Sequence, residues 1–202
     1  MKKNNAFKNF IREWGAFILI LLLMALSRWF IWGSVHVEGH SMDPTLADSE
    51  NLIISKISPT NRFDIVVAKE EEDGQTKNIV KRVIGMPGDT IRYDNDKLYV
   101  NGKETDEPYL KEYIELFKKD KLQSTYSYSK TFQERAQSAT AFTFDNQGNA
   151  SFTITVPEGQ YLLLGDDRIV SKDSRQVGTF KKDQITGEVV FRFWPLNKLK
   201  IF

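Results

Sequence analysis

The longest apolar stretch, interrupted only near its end by Ser27 and Arg28, lies near the N-terminus, where residues 14–32 read WGAFILILLLMALSRWFIW. As a helix these roughly nineteen residues would run about 28 Å, close to a bilayer core of about 30 Å. The run is apolar all round, which suits lipid better than the one-sided burial of a globular helix. Beyond it the pattern changes to short apolar runs that predict strands at 35–37, 52–57, 64–68, 79–84, 90–93, 98–100, 152–156, 161–164 and 188–194. Asp94-Asn95-Asp96 and Asn101-Gly102 have hairpin-turn chemistry, and Pro157-Glu158-Gly159 separates two later runs. One helix is predicted from Pro108 to about Lys119, with Leu110, Ile114 and Phe117 at helical spacing. Residues 119–150, rich in Ser, Thr, Gln and Lys, show no sustained apolar period and read as an inserted, mobile or variable region. The expected fold is mainly β: an antiparallel β-rich domain with a smaller insert, preceded by one transmembrane helix. The expected layout is a cytoplasmic N-terminus at 1–13, an anchor at 14–32 and an extracytoplasmic domain at 33–202, with the insert at roughly 94–157.

Lys2, Lys3, Lys8 and Arg12 precede the span, which places the N-terminus in the cytoplasm and the domain on the outer side of the cell membrane, as a single-pass protein. Arg28 lies near the outward end among Trp29, Phe30 and Trp32, where it can snorkel to the headgroups. A cleavable secretory signal has the same basic start, and Ala25-Leu26-Ser27 is a small-x-small triplet of the kind cut after such signals. A mature chain beginning at Arg28 would mark a signal; an intact N-terminus marks an anchor.

Composition narrows the chemistry. The 202 residues include no cysteine and two histidines, His36 and His40. A thiol nucleophile, a disulfide framework and a Cys/His zinc site are therefore excluded. The acidic run Glu70-Glu71-Glu72-Asp73 reads as a solvated turn, not a metal site. No metal or organic cofactor is expected. A net charge of +1 suggests no nucleic-acid partner.

Three segments concentrate polar chemistry. Gly39-His40-Ser41-Met42-Asp43-Pro44-Thr45 offers a serine in a loop where glycine permits close backbone approach and proline resists regular structure. The same residues also make an ordinary turn. His40 adjoins Ser41 and His36 is only five residues upstream, so neither reaches the hydroxyl from elsewhere in the fold as a Ser-His-Asp triad requires. Lysine is then the natural base if Ser41 is a nucleophile. In the strand run Ile79 to Ile84, Lys81 shares parity with Ile79 and Val83, while Arg82 points the other way with Val80 and Ile84. Parity does not choose between them, but desolvation can neutralise a lysine and not an arginine. Lys81 equally fits a salt-bridged strand lysine. After the apolar run at 161–164, Gly165 to Arg175 gathers Asp166, Asp167, Arg168, Ser171, Asp173 and Arg175. This predicts a hydrogen-bonded network in which Asp173 pairs with Arg175 or Arg168 and Ser171 meets a neutral lysine.

Together the apolar N-terminal segment, Gly39 to Leu46, Arg62 to Val67, Lys81 to Asp89 and Gly165 to Gly178 resemble the bacterial type I signal peptidases, in their shorter Gram-positive form. The resemblance implies a membrane-anchored serine endopeptidase that removes signal peptides from exported preproteins, near the secretion translocon, with small residues before the cut. It implies Ser41 as nucleophile, Lys81 as general base, Ser171 orienting Lys81, and Asp173 with Arg175 as the supporting ion pair. Two departures stand out. Gly39 replaces a hydroxyl residue that completes the oxyanion hole in some members, and Phe63 replaces a glycine that follows the arginine of the second motif in many. Two other readings are a catalytically idle membrane-tethered assembly factor, which predicts loss of Ser41 or Lys81, and a self-cleaving regulator, which would carry an N-terminal DNA-binding module. Cleavage at Ala25-Leu26-Ser27 by a second copy of the enzyme is also expected to be feasible.

Overall fold

The computed structural model describes residues 3–72 and 74–202. Lys2 of the basic N-terminal group and Asp73 of the acidic run fall outside them. Helix α1 (Lys3–Phe30) carries the apolar stretch, and the segment Phe10–Phe30, long and apolar enough to cross a membrane, is not buried against the rest of the protein. The chain leaves α1 directly into β1 (Trp32–His36), so the predicted span ends two residues early as helix and its last residue opens a strand.

β1 pairs with β2 (Asn51–Ser55), and a mostly antiparallel main sheet continues through β11 (Ile185–Trp194), β3 (Ile65–Glu72), β4 (Gln75–Gly85), β9 (Gln160–Leu164) and β10 (Phe180–Lys181); β12 (Lys200–Ile201) pairs on β11. A second sheet of β5 (Thr90–Asp94), β6 (Lys97–Val100), β7 (Lys103–Thr105) and β8 (Ser151–Thr155) runs in the order β7-β6-β5-β8. Its hairpins close through Asn95-Asp96 and Asn101-Gly102, all four at positive φ, the geometry of tight two-residue turns. The antiparallel, mainly β class expected from the short runs holds.

The β3–β4 hairpin positions the polar chemistry. Its register sets Val66 opposite Lys81 and Ile65 opposite Arg82. Val66, Ala68 and Val83 face a core shared with Tyr161, Leu163 and Phe180, whereas Ile65 and Val67 face another built on Met42, Leu46, Leu52 and Ile54. A hairpin buried on both faces explains why the sequence shows apolar residues at either parity.

The stretch 119–150 departs from expectation. α2 (Lys111–Asp120), preceded by a 3-10 turn at Pro108–Leu110, ends at Lys121 and Leu122 in left-handed geometry, and α3 (Lys130–Ser138) starts at the N-cap Ser129. Leu122, Tyr126, Ala136 and Phe142 are buried with Leu110, Tyr113, Phe117 and Ile169 in one core. These residues recur at irregular intervals, so burial is produced by successive turns of chain and left no period to read.

Candidate active site

Ser41 sits on the loop between β1 and β2. The side chains of Met42 and Leu46 anchor that loop in the core, and Leu46 N–H donates to the Met42 carbonyl at 2.9 Å. Gly39 adopts φ +82°, and a Cβ there would meet nothing within 4 Å, so the position needs glycine for conformation, not for space. Its N–H donates to Asp48 Oδ1 at 2.6 Å and is committed to holding the loop. The Ser41 carbonyl accepts from the Asp167 N–H at 3.1 Å, while the Ser41 N–H has no acceptor among the described residues. That N–H is the free donor beside the hydroxyl, the geometry an oxyanion site needs.

Lys81 Nζ donates to Ser41 Oγ at 2.7 Å across forty residues of sequence. Lys81 is only 4% exposed. Burial is the main cause that pushes its pKa down, to about 8; Asp173, Glu70 and Asp166 oppose the shift and Arg175 adds to it. Arg82, the other candidate of the strand, is fully engaged elsewhere. Its Nε and one terminal nitrogen grip Asp166 at 2.9 and 2.6 Å, another donates to the Phe63 carbonyl at 2.8 Å, and its guanidinium stacks on Tyr109 at 3.9 Å. Phe63 holds φ +72°, a conformation that favours glycine, at the point where the resemblance leads one to expect glycine.

In the loop after β9, Asp173 resolves the pairing left open by sequence. Arg175 grips it from Nε and a terminal nitrogen at 2.8 Å each, and Gly165 N–H donates to it at 3.0 Å. Burial drives this carboxyl up, but Arg175 and the hydrogen bonds outweigh it and hold the pKa below the usual carboxylate range. Arg168 goes instead to Glu107 at 2.6 Å and Tyr93 at 2.8 Å. Ser171 is buried beside Gly165, but its Oγ has no hydrogen-bond partner among the described residues and makes none to Lys81. Glu107, Tyr93 and the Arg82–Asp166 pair were not assigned from sequence. Their partners lie 61 to 84 residues apart, and no local spacing announces them.

Gly165 is the closest approach in the site. A Cβ there would overlap Ser171 Oγ and the Ser41 carbonyl oxygen. Gly165→Ala is therefore expected to cost about 1–3 kcal/mol by overpacking and to displace Ser41 from Lys81, cutting turnover at least tenfold. Denaturant unfolding and peptide cleavage would check this; wild-type values in both would show that the contact relaxes freely.

A cavity of about 470 Å³ opens on Ser41 and Lys81, walled by Val35, Val37, Met42, Ile79 and Val80. On this side the β4 segment 75–81 pairs, among the described residues, with β3 alone, so its other backbone edge faces the cavity.

The description "Signal peptidase, peptidase S26" fits a family model that matches residues 11–194. Signal peptidase I of Streptococcus pneumoniae R6 is 64% identical, covering 98% of this chain and 100% of that protein. Signal peptidase I of Bacillus caldolyticus is 39% identical over 93% of this chain and 92% of that one, and signal peptidase IB of Staphylococcus aureus COL is 37% identical over 96% and 94%. A crystal structure of a signal peptidase I from Enterococcus faecalis is 30% identical, with a TM-score of 0.45, covering 65% of this chain and 97% of that one. On the breadth of the family match and the full-length identity to these relatives, the chain belongs to the signal peptidases of the peptidase S26 family.

Proposed function

We propose that this protein is a membrane-anchored serine endopeptidase that removes signal peptides from exported preproteins with Ser41 as nucleophile and Lys81 as general base. The observation that carries the site assignment is the 2.7 Å contact between a buried lysine and a serine hydroxyl at a cavity with an open strand edge. The function is supported by family membership and by 64% identity along the whole length of a signal peptidase I.

The chemistry follows from the geometry. Neutral Lys81 takes the Ser41 proton as the hydroxyl attacks the scissile carbonyl, and the Ser41 N–H donates to the developing oxyanion. Lys81 then delivers the proton to the leaving amine, and a water activated by the same amine releases the acyl-enzyme. The substrate lies extended along the open edge of β4, backbone to backbone. Asp173, gripped by Arg175, belongs to the loop that carries Ser171, and the role proposed for Ser171 is to orient the amine, its Oγ having no other partner among the described residues. An idle assembly factor would not need a serine and a buried lysine in contact.

The layout we propose puts residues 1–13 in the cytoplasm, 14–32 in the bilayer and 33–202 outside, with the insert at roughly 94–157, close to the translocon from which preproteins emerge. The bare apolar helix, with Lys8 and Arg12 on its N-terminal side, supports this orientation. A lipid partner is further supported by the exposed Trp194, Leu196, Leu199 and Ile201, interleaved with Lys198 and Lys200 near the C-terminus.

The test is cleavage of a synthetic signal-sequence peptide by the full chain beside Ser41→Ala. The expected result is correct cleavage by the wild type and loss of at least about 10⁴-fold in the variant. Undiminished cleavage by the variant would rule out Ser41.

A further inference from the structure

Lys172 lies between Ser171 and Asp173 in the loop after β9, yet its side chain leaves that network and reaches the β3–β4 hairpin. Its Nζ meets the Glu72 carboxylate directly and Glu70 Oε1 at 3.5 Å, and Glu72 is also held by Lys77 at 2.9 Å. Lys172 is half-exposed, whereas the Glu70 side chain is largely buried. The register places Glu70 on the same face of the hairpin as Val66, Ala68, Ile79 and Lys81. A carboxylate on the face of a buried amine thus has its counter-charge supplied by the loop that carries Ser171 and Asp173.

We propose that Lys172 is a positioning residue for the reaction: by pairing with Glu70 and Glu72 it pins the Ser171–Asp173 loop to the hairpin and screens Lys81 from the Glu70 carboxylate. This rests on Lys81 being the base. The charged groups around Lys81 are Glu70 from β3, Asp166 and Asp173 from the loop, and Arg175 from α4 (Ser174–Val177); the three acids favour its ammonium form, Arg175 disfavours it. Around Glu70 stand Lys172 from the loop, Lys77 opposite it on β4 and Glu72 on its own strand. Removing the Lys172 charge leaves Glu70 less compensated, and a less compensated Glu70 favours the protonated, inactive amine.

The experiment measures kcat/KM against pH for the full chain acting on a signal-sequence peptide. Lys172→Met is expected to move the acidic limb to higher pH by about half a unit, a modest shift because the pair is partly open to water. Glu70→Gln is expected to move it to lower pH, the double variant to return it close to wild type, and Lys172→Arg to leave it in place. A Lys172→Met enzyme that is uniformly slower with an unmoved limb, or unchanged altogether, overturns the proposal, since a purely structural tether would not shift the profile. If Lys81→Ala itself cleaves at the wild-type rate, the assignment of the base has failed instead, and the two failures are distinguishable.

Discussion

Lys81→Ala and Lys81→Met are expected to cleave a signal-sequence peptide at least about 10⁴-fold more slowly than wild type, because the variants keep the Ser41 hydroxyl but lose the amine proposed to activate it. Lys81→Arg should be equally inactive, since a guanidinium does not release its proton near neutrality. In the wild type, burial pushes the Lys81 pKa down to about 8, so kcat/KM should rise with pH through that value as one proton leaves. The same burial has a stability consequence of opposite merit. Below about pH 8 the folded protein holds a desolvated ammonium, which costs on the order of 3 kcal/mol at about 1.4 kcal/mol per pKa unit. Between the folded value and the ordinary lysine value of 10.5 the unfolded chain binds the extra proton, so stability rises with pH across that window. Lys81→Met removes the ammonium, and at pH 7 it should unfold at higher denaturant than wild type while being inactive. Urea unfolding of the full chain in detergent at pH 7 and pH 9.5 checks this; a Met variant that is less stable than wild type at both would mean that the ammonium is well solvated in the fold.

Much of this was readable before any coordinates, for identifiable reasons. A protein with no cysteine and with both histidines beside Ser41 leaves few bases for a serine nucleophile, and a lysine inside an apolar strand run is chemically conspicuous. Short strands announce themselves by period, and the turns at Asn95-Asp96 and Asn101-Gly102 by composition. What stayed hidden depends on tertiary placement. Parity could not separate Lys81 from Arg82, because the hairpin is covered on both faces; only Asp166, arriving 84 positions later, claims Arg82 and leaves Lys81 to meet Ser41. Tyr126, which donates to Asp167 at 2.6 Å, lies in a region without apolar periodicity, yet it ties the insert to the residue whose N–H holds the Ser41 carbonyl. The Gly39 N–H is engaged with Asp48, a contact that only the fold of the loop creates.

The Arg82–Asp166 pair should be the most stability-sensitive feature of the site. Both side chains are buried, Asp166 completely, and the two charges meet through a bidentate grip. Asp166→Asn can keep one acceptor but leaves the buried guanidinium without a counter-charge, beside the Phe63 carbonyl, the Tyr109 ring and a long contact to Thr45 at 3.5 Å, and is expected to cost about 3–5 kcal/mol. Arg82→Met strands the buried Asp166 carboxylate in the same way and should cost a similar amount. The double variant Arg82→Met with Asp166→Leu removes both charges and should recover part of the loss, because a buried pair contributes less than breaking it costs. Activity should not recover with stability. Asp166 is flanked by Gly165, which packs on Ser41 and Ser171, and by Asp167, which holds the Ser41 carbonyl, so losing the grip on Arg82 loosens the support of the nucleophile. Urea unfolding of the two single variants and the double variant, read as a double-mutant cycle beside peptide cleavage, separates these effects. Single variants costing less than about 1 kcal/mol, or a double variant with full turnover, would show that the loop carrying Asp173 and Ser171 is held in place without this pair.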